Sequence, residues 1–238
     1  MKIIRVANKK ELNELTGEML IGSMLSKQTR YNLSITAGNT PKGVYEYLAP
    51  RIKRNSAFDH VHYYNFDEIP STDPNFIGVT MRDLKKLYLD PAGIDSKRIH
   101  HLTSENFENH DHNLLLAGGL DAMLLGIGKD GHYCGNLPGT TNFADQTVKV
   151  EAKGALKDLI GRHFSDPLLV PDYWITMGPK SVMNARKLIL IATGTEKADA
   201  IWHLVDGPVE NKYPSSILKL HPDLTVIVDE EAAERINN

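Results

Sequence analysis

The stretch Gly126-Ile127-Gly128-Lys129-Asp130-Gly131-His132 sets an aspartate and a histidine two residues apart among three glycines. Such a loop lets the backbone turn tightly and lie close to a ligand. The Asp130 carboxylate could set the tautomer and charge of the His132 imidazole, making the two an acid/base unit. Equally, Asp130 could cap a turn and His132 lie in solvent. A second acidic pair, Asp67-Glu68, follows an apolar run. On extended backbone, neighbouring carboxylates point to opposite sides, so only one of these two is expected in a crevice.

Three further segments could hold an anion. Ala37-Gly38-Asn39-Thr40-Pro41 is a small-residue loop opening onto a helix, with Thr40 expected as N-cap and Pro41 at the first helical position. Unpaired N–H groups and the positive end of the helix dipole favour negative charge there. Lys197, in Gly194-Thr195-Glu196-Lys197-Ala198, sits in a first helical turn, against the dipole preference unless an anion offsets it. Arg162, in Gly161-Arg162-His163, offers a guanidinium fork for the same group. Taken singly, the loop reads equally as an ordinary strand-to-helix turn, and the two cations as exposed charges. His100, His101, His110, Asp111 and His112 look like metal ligands, but their spacing matches no standard zinc pattern. The polar residues between them predict a solvated loop. Cys134 has no nearby thiol for a redox pair.

Most of these segments follow apolar runs of strand length. Strands are expected at Lys2–Val6, 33–36, 61–66, 121–126, 187–193 and Leu224–Asp229, with helices at 10–25, 41–48, 196–205 and 230–235. Several strands are apolar on both faces, as a sheet covered by helices on both sides requires. The alternation argues for a doubly wound, mostly parallel α/β sheet of Rossmann-like type. Residues 67–102, with turn signals around a helical stretch at 81–87, read as an insertion in a single domain spanning 1–238. Open sheets of this kind bind ligands outside the carboxyl ends of their strands.

Composition narrows the classes further. A charge of −3, from 27 basic and 30 acidic residues among 238, gives no support to a nucleic-acid partner. One cysteine excludes an intrachain disulfide framework and fits a reducing compartment. Met1-Lys2-Ile3-Ile4-Arg5 shows no signal-peptide core, and no run of about 18 apolar residues spans a membrane. A cytoplasmic protein without a membrane partner is expected.

In combination and order, the strand ends resemble the glucosamine-6-phosphate deaminase/isomerase and 6-phosphogluconolactonase superfamily over residues 33–233. Ala37–Pro41 is similar to its phosphate loop, Phe66-Asp67-Glu68 to its acidic motif and Gly126–His132 to its Asp-Gly-His loop. Gly194–Ala198 is similar to its lysine turn, and Leu220-His221-Pro222 precedes the last strand as in the family. The resemblance implies that the Gly38 and Asn39 backbone, the Thr40 hydroxyl, Arg162 and Lys197 hold a sugar phosphate. It implies Asp67 as the base moving a proton between C2 and C1, and His132, oriented by Asp130, as the group assisting ring opening. No metal or coenzyme is implied, the partner is a small sugar phosphate, and a homo-oligomer is left open.

The sequence departs from this pattern at Leu137, where the deaminases carry a glutamate that completes a relay with the aspartate and histidine. Glu68 or another group would have to substitute, or ring opening works differently, or the substrate is not the usual one. The lactonase branch normally has an arginine after the Asp-Glu pair, where Ile69 stands here. Ile69-Pro70 and Tyr213-Pro214-Ser215-Ser216 lean toward lactonases, whereas Leu220-His221-Pro222 leans toward the amino-sugar enzymes. The resemblance therefore favours a hexosamine-6-phosphate isomerase/deaminase. The alternatives are a 6-phosphogluconolactonase and a non-catalytic sugar-phosphate sensor.

Overall fold

Runs of leucine, isoleucine and valine with no polar face require cover on both sides, and they receive it. The computed structural model describes residues 1–236. Its strands are β1 (Lys2–Val6), β2 (Tyr31–Ser34), β3 (Val61–Tyr64), β4 (Asp67–Glu68), β5 (Ile99–His100), β6 (Ala122–Gly126), β7 (Thr147–Glu151), β8 (Tyr173–Met177), β9 (Leu188–Ala192) and β10 (Leu224–Asp229). Its helices are α1 (Lys9–Leu25), α2 (Lys42–Ile52), α3 (Val79–Leu84), α4 (Phe107–Leu116), α5 (Ala155–Gly161), α6 (Pro179–Met183) and α7 (Ala198–Val205).

Seven strands form a parallel sheet in the order β1-β10-β9-β6-β2-β3-β5. Alternate residues of one strand feed two core layers. Leu124, Ile189, Ile191 and Ile227 pack with Leu12, Leu20, Val44 and Leu48 of α1 and α2. Met123, Leu125, Leu188, Leu190 and Val226 pack with Leu114 of α4 and Ile201 and Leu204 of α7. This is the doubly wound arrangement that the alternation predicts.

The order also locates the crevice. From β2 the chain steps outward through β3 and β5, whereas from β6 it steps the other way through β9 and β10. The loops leaving β2 and β6 therefore diverge, and a doubly wound sheet binds ligands at that switch point. Over it stands a small antiparallel sheet, β4-β8-β7. It is joined to the end of β3 by the Met177 N–H, which donates to the Phe66 carbonyl at 2.7 Å.

Several expectations need correction. The histidine-rich segment is not a solvated loop: His110 and His112 lie on α4, and His110 is buried against the sheet. Residues 67–102 are not a mere insertion, since β5 extends the main sheet and α3 runs into a π-helical turn, Lys85–Leu89. Residues 230–235 form turns rather than a helix. The small sheet was not anticipated: β7 (TVKVE) has a half-exposed, alternating pattern that polar neighbours hide. Among the described residues no helix is long and apolar enough to cross a membrane.

Candidate active site

At the switch point lies a cavity of about 400 Å³. Thr36–Pro41 line one end, with Lys197 beside them; Asp67, Thr80, Gly126–Gly128 and His132–Cys134 line the middle, and Leu137, Ile160, His163 and Trp174 form the far wall.

Asp67 and Glu68 divide as extended backbone requires. Asp67 is half-buried in the cavity, and the Thr80 hydroxyl donates to its Oδ1 at 3.0 Å. Burial, with the Glu68 charge adding to it, pushes the Asp67 carboxyl up to about 7, while the Thr80 bond and His132 pull the other way. A carboxylate poised near neutrality is what a general base needs. Glu68 is only 2% exposed and accepts from the N–H groups of Ile69, Thr80 and Met81 at 3.0, 2.8 and 3.0 Å. Thr80 and Met81 open α3, so Glu68 fills the role of its N-terminal cap. The His101 Nε2 adds a fourth partner at 2.8 Å. Gly78 makes this possible: its φ is +105°, and a Cβ there would stand 2.3 Å from the Glu68 carboxyl carbon. Glu68 is thus committed to the start of α3 and to His101, which speaks against the alternative in which it takes the place of the relay glutamate.

The Asp130–His132 pair forms as the loop suggests. His132 Nδ1–H donates to Asp130 Oδ1 at 2.6 Å, and that bond holds the Asp130 carboxyl down to about 2. With Nδ1 carrying the proton, the neutral ring keeps Nε2 as acceptor. Both side chains fold over Gly128, where a Cβ would lie 2.1 Å from His132 Nδ1 and 2.5 Å from Asp130 Oδ1. The loop is closed by the Gly128 N–H donating to the His132 carbonyl at 2.8 Å. It is braced from outside by the Ser215 N–H on the Gly131 carbonyl at 2.9 Å.

At the other end, Gly38, Asn39 and Thr40 line the cavity where α2 begins. Here Pro41, not Thr40, stands at the N-cap, and no side chain caps the helix. The Thr40 hydroxyl and the first N–H groups remain available to an anion. Lys197 is the last residue of a 3₁₀ turn (Thr195–Lys197) leading into α7, one position earlier than a first-turn residue, and it lines the same cavity. Arg162 does not. It is the exposed C-cap of α5, and its neighbour His163 lines the cavity instead.

Comparison with known proteins places this geometry. The family model described as glucosamine-6-phosphate isomerases/6-phosphogluconolactonase matches residues 10–227. The chain belongs to this family. The glucosamine-6-phosphate deaminase of Shouchella clausii is 33% identical over 243 residues, covering 98% of this chain and 96% of that protein. That of Halalkalibacterium halodurans is 31% identical over 246 residues, covering 99% and 98%. A solved monomeric glucosamine-6-phosphate deaminase superposes with a TM-score of 0.85 at 25% identity over 99% of this chain and all of that one. The 6-phosphogluconolactonase of Thermotoga maritima, at 16% identity and a TM-score of 0.75 over 96% and 99%, shares the fold.

Tyr133, Cys134, Gly135 and Leu137 belong to the cavity wall. The Gly135 N–H donates to Thr176 Oγ1 at 2.9 Å, Trp174 Nε1–H to the Gly135 carbonyl at 2.9 Å, and Asn136 Nδ2 to the Met177 carbonyl at 2.8 Å. Leu137 packs with Ala152, Ile160 and Trp174, so the position that held a carboxylate in the expected pattern is apolar throughout. Cys134 lines the cavity with a φ of +48°, and burial plus the Asp67 charge keep its thiol protonated, which removes it as a nucleophile. Thr80 and Trp174 escaped sequence reading because they lie apart along the chain from the residues they meet, and His163 because its neighbour Arg162 drew the attention. The Leu-His-Pro histidine is structural: His221 Nδ1 accepts from the Asp223 N–H at 3.1 Å and Nε2–H donates to the Ala185 carbonyl at 2.8 Å. Among the described residues no cluster of three or more His, Cys, Asp or Glu is placed to hold a metal ion.

Proposed function

We propose that this protein is an aldose–ketose isomerase/deaminase of a hexosamine 6-phosphate, releasing ammonia and a ketose 6-phosphate. The observation that carries it is Asp67, a carboxylate raised to about 7 and held by Thr80 in the cavity that also receives His132 and the open end of α2. The phosphate sits on the Gly38 and Asn39 backbone, the Thr40 hydroxyl and Lys197. His132 Nε2, with Nδ1 fixed by Asp130, moves a proton at the ring oxygen as the pyranose opens. Asp67 takes the C2 proton, giving an enolamine, and returns it to C1. The C2 imine so formed is hydrolysed by water to the ketone and ammonia. Each step is a proton transfer or hydration, so none asks for a coenzyme. Lactone hydrolysis is the second reading, favoured by Leu137, because a histidine-activated water needs no relay glutamate to open an ester. The single cysteine and the absence of polybasic character fit a cytoplasmic enzyme whose partner is its sugar phosphate.

Proton NMR in D₂O with glucosamine 6-phosphate and galactosamine 6-phosphate tests this. Loss of the C2 proton signal with ketose phosphate and free ammonium is the expected result, and the faster sugar names the epimer. No change in either, with acceleration of 6-phosphogluconolactone hydrolysis, would replace the proposal with the second reading. Binding of the sugars without chemistry would leave a sensor.

A further inference from the structure

A second cavity, of about 380 Å³, lies between α4 and the β3–β5 edge of the main sheet. Arg30, which precedes β2, lines it with half its side chain buried. Its Nε donates to Asn32 Oδ1 at 2.9 Å and its Nη2 to Tyr64 Oη at 2.8 Å and His100 Nε2 at 3.1 Å. All three acceptors are neutral, and no carboxylate pairs with Arg30 among the described residues. A guanidinium can only donate, so His100 Nε2 accepts, and His62 Nδ1–H must be the donor of the 2.9 Å contact between the two rings. Burial first, and the Arg30 charge next, hold His62 at about 4 and lower His100, so neither ring adds a second charge near neutrality. The cluster is a single uncompensated cation.

A second, independent feature stands across the cavity. His110 lines it from α4, is 6% exposed, and its Nε2 has no hydrogen-bond partner. Burial holds this ring at about 4, so it is neutral and offers one N–H. Beside it on the helix, Asn113 lines the mouth of the cavity. A half-buried cation without a counter-ion and a buried orphan ring nitrogen are each costly, and one ligand would satisfy both.

We infer that this cavity is a second anion site, which takes a compact oxyanion of the phosphate type on the Arg30 fork, His110 Nε2–H and the Asn113 amide. Guanidinium geometry suits such an oxyanion, and Nη1 of Arg30 has no protein partner to displace. The site shares no lining residue with the catalytic cavity, and the two are linked by the bond between His101, which lines the one, and Glu68, which lines the other.

Histidine side-chain nitrogen correlation spectra, recorded during titration with inorganic phosphate, test the site. The His100 and His110 resonances are expected to move saturably, and to stop moving in Arg30→Gln while those of His132 still respond. Movement at His132 alone, or movement at His110 that survives Arg30→Gln, would overturn the inference. Should Arg30→Gln fail to fold, Asn113→Leu on the exposed helix face is expected to weaken phosphate at His110 by about tenfold, the loss of one ligand hydrogen bond. Unchanged affinity in that variant would overturn the site equally. Titration with methyl phosphate separates the sources: tighter binding assigns a phosphate monoester, equal or weaker binding free phosphate.

Discussion

Asp67 and Glu68 are consecutive, yet Asp67 receives one hydrogen bond from a hydroxyl while Glu68 receives three from backbone N–H groups, a long one from the Asn65 amide and one from a histidine ring. The first carboxylate is left under-solvated inside a cavity, and the second is fixed as a cap. The same functional group therefore serves reactivity at one position and folding at the next.

Stability should record this difference. Asp67 has a folded value of about 7, well above its unfolded one, so the native state holds its proton more tightly. Its stabilising contribution is full below about pH 4 and is lost as pH rises through about 7. Asp67→Asn should thus melt with wild type at pH 4 and above it at pH 8, by at most on the order of 4 kcal/mol. Glu68→Gln should instead be destabilised by about 1–3 kcal/mol at neutral pH, since one accepting oxygen becomes a donor facing N–H groups. Thermal unfolding of both variants across that range decides the matter, and an Asp67→Asn curve that tracks wild type at every pH would contradict the assignment.

The acid limb of the rate profile should belong to Asp67. Activity as kcat/KM is expected to rise through about pH 7 as the carboxylate ionises. Removing the Thr80 hydroxyl, which lowers that value, should move the limb to higher pH in Thr80→Val. A limb that stays in place would show that Thr80 does not tune the base.

Gly128→Ala inserts a methyl where His132 Nδ1 and Asp130 Oδ1 already lie. The pair must separate or the loop must shift. A fall in kcat of about a hundredfold, in the range of losing an acid/base group, with an unchanged far-UV spectrum, is expected. Retained kcat would remove the Asp130–His132 unit from the chemistry.

Lys197 and Arg162 should part company. Lys197→Ala is expected to raise KM for the sugar phosphate about tenfold or more, most visibly at low salt. Arg162→Ala should leave KM within about twofold, because Arg162 faces solvent beside the cavity. Initial-rate kinetics at two ionic strengths compare them, and an equal loss in both would return Arg162 to the phosphate site.

The sheet was legible because its strands carry unbroken apolar runs such as LILIA and LTVIVD, which admit few other readings. The candidate residues were legible where glycine, acidic and histidine types crowd one strand end. What escaped has a common cause: it depends on partners distant in sequence. Thr80 meets Asp67 across 13 positions, Trp174 meets Gly135 across 39, and His110 is buried only because α4 folds onto the sheet. Arg162 and His163 follow the end of α5, and only the turn they make there decides that His163 and not Arg162 lines the cavity.

The hydrogen bond from Trp174 to the Gly135 carbonyl has an optical consequence. Only two tryptophans occur, and Trp174 lines the candidate cavity at 3% exposure while Trp202, on α7, does not line it. The chain thus carries a built-in fluorophore at the wall of its own cavity. Occupancy can be followed in the unlabelled protein by emission at a single wavelength, with Trp202→Phe silencing the background.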